Sequence, residues 1–232
     1  MLPSSSKVST SDEARLETLQ NIGNGRGKDR EEAGILLSEK LKKYQNSNTV
    51  VLAIPRGGVP VGYEIAKKLH LPLDIVLSKK IGHPNNLEYA IGAVSMDSIT
   101  LKEHPDVPQK YIEEEITRLR KLLHNKYDLY MGSRKPIDIE GKNIIIADDG
   151  IATGNTLLAS IAMLRKRKPA KIIVAVPVLP ADALSAFNRN VDELVYLIAA
   201  KNFRGVGAFY EEFNQVEDEE VINMLNIPSQ IQ

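Results

Sequence analysis

Short apolar runs alternate with amphipathic stretches along most of the chain. Five of the runs have the length of strands, at residues 49–54, 73–77, 143–147, 171–178 and 193–198. A run that is apolar on both faces is typical of a strand in a parallel sheet that helices cover on both sides. The pattern therefore predicts an α/β domain with a mainly parallel, five-stranded sheet and helices on both faces.

The segments between these runs carry helical periodicity and capping signals. Asp29 is a suitable N-cap with Glu32 three residues on, which predicts a helix from about residue 29. Further helices are predicted over residues 61–69, 108–130, 155–168 and 181–188. Residues 89–95 and 99–101 are expected to extend the sheet.

The two ends of the chain differ from the middle in composition. Residues 1–27 are rich in Ser and Gly and predict a flexible segment, followed by one domain over residues 28–222 and a tail over 223–232. Within the domain, residues 78–130 are expected to form a loop and a helical flap. Residues 201–222 hold most of the phenylalanines and are expected to form an aromatic hood over the sheet.

Composition and charge exclude several classes of protein. Lys plus Arg number 30 and Asp plus Glu number 30, so there is no basic excess to indicate a nucleic-acid partner. The absence of cysteine excludes a disulfide scaffold and a thiolate metal site, and it fits a reducing, cytoplasmic location. No apolar run approaches the roughly 18 residues of a membrane span, so no membrane association is expected.

The most informative loop follows the predicted strand at residues 143–147. Asp148 and Asp149 leave the strand, and small and hydroxyl residues then open a helix at Thr156. Backbone N–H groups at a helix N-terminus form an anion site, to which Thr153 and Thr156 add hydroxyl donors. Two carboxylates beside such a site suit a sugar diol, a bound cation or both. An ordinary N-cap would explain a single Asp or Thr, but not the whole pattern.

Two further loops carry polar residues after predicted strands. In the loop at residues 55–58, Gly57 and Gly58 allow a close backbone approach to a ligand, and Arg56 supplies a guanidinium that matches phosphate oxygens. The loop at residues 78–86 carries Lys79 and Lys80, which suit a pyrophosphate group. Because ligands of open α/β sheets bind at the carboxyl ends of the strands, we expect the three loops to converge.

With these loops in place, residues 144–156 resemble the signature of the type I phosphoribosyltransferases. The resemblance implies that Asp148 and Asp149 contact the ribose hydroxyls of 5-phosphoribosyl 1-pyrophosphate (PRPP). It also implies that they hold Mg²⁺ indirectly or through PRPP. The 5′-phosphate would lie in a cradle, here called the phosphate loop, formed by Ile151, Ala152, Thr153, Gly154, Asn155 and Thr156.

The same resemblance assigns the other polar loops. Arg56, Gly57, Gly58 and Lys79 would hold the pyrophosphate, and Arg56 and Lys80 would join the two aspartates as catalytic residues. Loops of this kind often contain a cis peptide that does not involve proline, which is expected here at Arg56–Gly57. The acceptor would contact the hood residues Phe209, Tyr210 and Gln215.

Stretches over residues 29–222 also resemble a group of small stand-alone predicted phosphoribosyltransferases. They include residues 29–34, 55–60, 80–82, 90–94 and 206–216. The resemblance implies a homodimer that transfers the phosphoribosyl group of Mg-PRPP to a nitrogen acceptor. The Arg-Gly-Gly loop favours a purine. Two alternatives stay open: a PRPP-binding regulator without turnover, and a phosphoribosyl hydrolase.

Overall fold

The computed structural model describes residues 27–226. The predicted flexible segment 1–27 therefore lies outside the described residues except for Gly27, and the predicted tail is described only as far as Asn226. No helix within residues 27–226 combines the length and the apolar character that a membrane span requires.

The described residues form an α/β structure with two sheets. Residues 27–226 contain eight strands: β1 (Thr49–Ala53), β2 (Leu73–Ile75), β3 (Ser78–His83), β4 (Asn86–Ser95), β5 (Ile99–Leu101), β6 (Asn143–Ala147), β7 (Lys171–Pro180) and β8 (Glu193–Ala200). The same residues contain six α-helices: α1 (Arg30–Lys40), α2 (Gly58–Leu69), α3 (Gln109–Met131), α4 (Asn155–Arg165), α5 (Leu184–Asn190) and α6 (Asp218–Asn226).

The larger sheet confirms the predicted fold class. Its five strands lie in the order β2-β1-β6-β7-β8, and every neighbouring pair is parallel. Ile145 faces the apolar cluster that α1 and α2 cover, whereas Ile144 and Ile146 face the cluster that α4 and α5 cover. Because both faces of β6 are buried, its sequence is continuously apolar rather than alternating.

The smaller sheet corrects the sequence prediction for residues 78–101. We expected a loop at residues 78–86 and an extension of the main sheet beyond it, but β3, β4 and β5 form a separate antiparallel sheet. The physical reason is packing against α3. Ile81, Ile91 and Val94 are buried in one cluster with Leu119 and Leu123 of that helix.

The C-terminal helix closes the structure beside α3. Val221 and Leu225 of α6 are buried with Tyr127 and Tyr130 of α3. The predicted boundary between domain and tail, after residue 222, falls inside this helix. The described end of the chain is therefore packed against the domain.

Candidate active site at the carboxyl ends of the sheet

The parallel pairing of β1 and β6 brings two of the predicted loops together. Ala53 and Ala147, the last residues of these strands, lie in register. The N–H of Ile54 continues the pairing by donating to the carbonyl of Ala147 at 2.9 Å. The loop at residues 55–58 and the loop at residues 148–156 therefore leave the same edge of the sheet side by side.

Two glycines allow these loops to touch. A Cβ atom at Gly57 would collide with the Asp149 carboxylate. A Cβ atom at Gly58 would lie 2.6 Å from the Ala147 carbonyl oxygen and 2.9 Å from Cα of Asp148. A side chain at either position would push the loops apart, so the glycines are needed for this close approach.

The loop at residues 55–58 differs from its prediction in the position of the cis peptide. Its cis peptide joins Pro55 to Arg56, one residue before the predicted bond between Arg56 and Gly57. The sequence pattern marks the sharp turn but does not determine which bond of the turn is cis. The Arg56 side chain is partly exposed, and its guanidinium lies 3.6 Å from Glu217 and 3.7 Å from Asp218 at the start of α6.

The phosphate loop has the form of an anion cradle. Gly154, with φ +73°, precedes α4, and no side chain among the described residues caps this helix. Thr153, Asn155 and Thr156 are exposed, whereas Ile151 is buried and its N–H donates to the Val178 carbonyl at 2.9 Å. The loop is thus anchored from below, with its polar groups and free helix N-terminus facing outward.

The acidic pair lies in an environment that opposes its charge. Burial, together with the neighbouring negative charge of Asp149, raises the pKa of Asp148 well above its usual range. Burial also raises the pKa of Asp149, although the Arg30 guanidinium acts in the opposite direction. Nε of Arg30 donates to Oδ2 of Asp149 at 2.9 Å.

Sequence reasoning missed Arg30 as a site residue. Asp29 caps α1 by accepting from the N–H of Glu32, as predicted, and this places Arg30 at the first position of the helix. The available signal was the stretch at residues 29–34, which resembles the family but does not indicate a partner. Arg30 and Asp149 are 119 positions apart, so no local spacing connects them.

The hood residues contact the site through two pairs of stacked rings. Tyr210 and Phe213 stack with centroids 5.1 Å apart, and the Tyr210 hydroxyl donates to the Asp149 carbonyl at 2.7 Å. Phe203 and Phe209 stack at 5.6 Å. Gln215 is exposed, and its amide donates to Glu217 at 2.9 Å. The structure thus brings Tyr210 of the hood to the acidic pair, where its side chain is buried.

Comparison with known proteins is decisive for the family. A family model described as "Phosphoribosyl transferase domain" matches residues 30–195. The chain belongs to the phosphoribosyl transferase family. A Mycobacterium tuberculosis protein named "Putative phosphoribosyl transferase" is 34% identical to this family member over 203 residues, which are 85% of this chain and 46% of that protein. The chain therefore spans about half the length of this curated relative.

Two further proteins are similar to this chain. The crystal structure of TT1426 from Thermus thermophilus has a TM-score of 0.77 and 35% identity, covering 86% of this chain and 97% of that one. An adenine phosphoribosyltransferase of Corynebacterium kroppenstedtii is 36% identical over 77 residues, which are 31% of this chain and 42% of that protein. The family model establishes the family, and the Thermus thermophilus structure has the same fold as this chain.

The two predicted lysines lie on a strand rather than in a loop. Lys79 and Lys80 are on β3 of the antiparallel sheet, outside the sheet that carries the family's signature loop. Both side chains are exposed, and Nζ of Lys80 lies 2.6 Å from Glu88 on the neighbouring strand. A role for Lys80 in the reaction requires this ion pair to open, and it stays a prediction.

The carboxylates fit a cation that arrives with a substrate. Within residues 27–226, no group of three or more acidic, His or Cys side chains is arranged to hold a metal ion. Asp148 and Asp149 offer the oxygen ligands that Mg²⁺ prefers, and Mg²⁺ usually takes further ligands from water and substrate phosphates. These residues are therefore suited to Mg²⁺ bound to a phosphorylated sugar.

Proposed function

We propose that the protein transfers the 5-phosphoribosyl group of Mg-PRPP to a nitrogen acceptor and releases pyrophosphate. One observation carries the proposal: the glycine turn at residues 57–58 lies directly against Asp148 and Asp149, beside the uncapped N-terminus of α4. A pyrophosphate site, a site for a sugar diol and a phosphate site then lie in the order in which PRPP presents these groups.

The donor site binds PRPP at its two charged ends. The N–H groups at the start of α4, with the hydroxyls of Thr153 and Thr156, hold the 5′-phosphate. Arg56 and the backbone of Gly57 and Gly58 hold the pyrophosphate, and Arg56 exchanges its contacts with Glu217 and Asp218 for this ligand. Binding energy at both ends orients the C1 atom between them.

The reaction is a displacement at C1 of the ribose. The acceptor nitrogen supplies the electron pair of the new C1–N bond, pyrophosphate leaves with the pair of the old C1–O bond, and the acceptor loses one proton. Asp148 and Asp149 hold the ribose hydroxyls and face the positive charge that develops on the ring. Bound Mg²⁺ supplies charge that offsets the departing pyrophosphate, a task it shares with Arg56.

A groove beside the phosphate loop supports the assignment of an acceptor site. A cavity of about 470 Å³ is lined by Ala152 and Thr153 of that loop, by Asp182 after β7 and by Phe203 after β8. A flat heterocycle that lies on Phe203 would be next to the sugar, and Asp182 would accept its N–H groups. Phe203, which stacks on the predicted acceptor residue Phe209, is thus a closer candidate than Tyr210 or Gln215.

The proposal is tested by release of pyrophosphate from PRPP with a panel of nucleobases. We expect turnover with at least one base, with purines first. Asp149→Asn should lower kcat about 100-fold while the fold survives, because that carboxylate is aimed at charge in the transition state. Release of ribose 5-phosphate without any base would indicate a hydrolase instead, and PRPP binding without turnover would indicate a regulator.

A second variant tests the acceptor groove separately. Stacking of a base on an aromatic ring contributes about 1–3 kcal/mol, so Phe203→Ala should raise KM for the base about tenfold. The affinity for PRPP should stay the same, because Phe203 is not among the residues proposed to hold PRPP. An unchanged KM would place the acceptor elsewhere, with Phe209 and Gln215 as the next candidates.

A homodimer and a cytoplasmic location complete the proposal.

A further inference from the structure

Arg30 is held at the acidic pair by three different groups. Its Nε donates to Oδ2 of Asp149 at 2.9 Å, and Nη1 donates to the backbone carbonyl of Asn214 at 2.7 Å. Its guanidinium carbon lies 3.9 Å from the centre of the Phe213 ring. The side chain is 11% exposed, so solvent does little to screen these contacts.

The same part of the hood also holds the backbone of Asp149. The Tyr210 hydroxyl donates to the Asp149 carbonyl at 2.7 Å, and Tyr210 stacks on Phe213 beneath Arg30. The segment at residues 210–214 therefore fixes Asp149 twice, at the carbonyl directly and at the carboxylate through Arg30. Three distant stretches of chain meet here: the start of α1, the end of β6 and the hood.

We propose that Arg30 is a positioning residue, which holds the Asp149 carboxylate in one orientation and makes that orientation depend on the closed hood. The proposal rests on the proposed function, since it gives Asp149 the task of holding ribose hydroxyls. Arg30 uses Nε for Asp149 and Nη1 for the hood. A planar guanidinium makes both contacts with one rigid group, which the single ammonium of lysine does not.

These contacts predict how substitutions of Arg30 change PRPP affinity and kcat. Removal of the guanidinium frees the carboxylate to rotate and breaks its link to the Asn214 carbonyl, while the Tyr210 hydroxyl still holds the Asp149 carbonyl. A small misplacement of a positioned group lowers rates by as much as about 100-fold. We therefore expect Arg30→Gln to lower both PRPP affinity and kcat at least tenfold, and Arg30→Lys to recover only part of this loss.

The decisive experiment is a double-mutant cycle on PRPP affinity, measured by titration calorimetry with Mg²⁺. Arg30→Gln should weaken PRPP binding at least tenfold in the wild-type background but less than twofold in the Asp149→Asn background, because Arg30 acts through Asp149. An equal loss in both backgrounds would overturn the proposal, since Arg30 would then act independently of Asp149. No loss in the wild-type background would overturn it as well.

Two controls separate positioning from general damage to the fold. Arg165→Gln removes a more exposed ion pair, with Asp192 at 2.8 Å, at the amino end of β8 and away from the loops at residues 55–58 and 148–156, and it should leave PRPP affinity unchanged. Phe213→Ala retains the charge of Arg30 but removes the ring beneath it, and should give a smaller loss that the Asp149→Asn background also suppresses. If the wild-type protein binds no PRPP, the proposed function and this inference both fail. If PRPP binds but the cycle shows no coupling, only the inference fails.

Discussion

The acidic pair shows what a sequence reveals about single residues. Asp148 and Asp149 were predicted to lie at the site because two acids and a Thr- and Gly-rich loop after a buried strand form a pattern that an ordinary N-cap does not explain. Their environment could not be predicted, because the pKa of each depends on burial and on Arg30, a residue far away in the sequence. A local sequence pattern can thus identify a functional residue, whereas the pKa of that residue depends on groups that are distant in the sequence.

Asp148 should cost the protein stability at neutral pH. Its pKa in the folded protein is raised above the ordinary value of 3.8, so the folded state binds this proton more tightly than the unfolded state does. Stability is therefore lost as pH rises from about this value through the raised pKa. Asp148→Asn removes that loss, and its amide oxygen still accepts from the N–H of Asp149.

Thermal unfolding at two pH values checks this expectation. At pH 7.5 Asp148→Asn should raise Tm by about 2 °C or more, equivalent to about 1 kcal/mol, and the difference should shrink towards zero near pH 4. Asp106→Asn is the matched control. The pKa of Asp106 is lowered by its bond with His83, so its removal should not stabilise the protein. A lower Tm for Asp148→Asn at pH 7.5 would contradict the expectation that the buried charge of Asp148 destabilises the folded protein.

Among the elements, the buried strands of the parallel sheet were predictable, whereas the partly exposed hairpin of β3 and β4 was not. The five parallel strands follow from continuous apolar runs with buried residues on both faces of the sheet. Strand β3 and the turn after it were predicted as a loop because Lys79, Lys80 and the Gly-His-Pro-Asn-Asn stretch are polar and loop-prone, whereas most of β4 was expected to extend the main sheet. Its structure depends on a few buried residues, such as Ile81 and Ile91, that pack on α3. A short periodic signal of this kind is easily hidden by exposed neighbours.

The crossing of α1 and α2 gives a prediction at this scale. A Cβ atom at Gly34 would lie 2.7 Å from the Val61 carbonyl oxygen and 2.8 Å from Cβ of Glu64. Gly34→Ala gains about 1 kcal/mol in helix propensity, but overpacking costs about 1–3 kcal/mol and separates the helices. Because α1 carries Arg30, the separation should also disturb the site.

We therefore expect Gly34→Ala to lower Tm by a few degrees and to weaken PRPP binding. Ile35→Ala, at an exposed neighbouring position of α1, serves as the control and should change neither quantity appreciably. A rise in Tm for Gly34→Ala would show that helix propensity outweighs the close crossing. It would also mean that the two helices can separate at little cost.

For the whole molecule, the sequence predicted the meeting of the two loops of the proposed donor site better than the parts of the proposed acceptor groove. The loops at residues 55–58 and 148–156 follow neighbouring strands, and their convergence follows from the rule for parallel sheets. The proposed acceptor groove is assembled from the phosphate loop, the ends of β7 and β8 and the hood, and the contact to the Asp149 carboxylate comes from the start of α1. These parts meet only in the folded chain, so Arg30, Asp182 and Phe203 were not predicted.

The most direct test of the central claim is titration calorimetry of the wild-type protein with PRPP, with and without Mg²⁺. The proposed donor site predicts Mg²⁺-dependent binding with a Kd on the order of micromolar. Thr156→Ala should weaken it about tenfold, because a hydrogen bond to a charged phosphate contributes about 1.5–3 kcal/mol. Thr117→Ala, which removes an exposed hydroxyl on α3, should have no effect. Absence of PRPP binding in both conditions would contradict the claim that this edge of the sheet is a phosphoribosyl donor site.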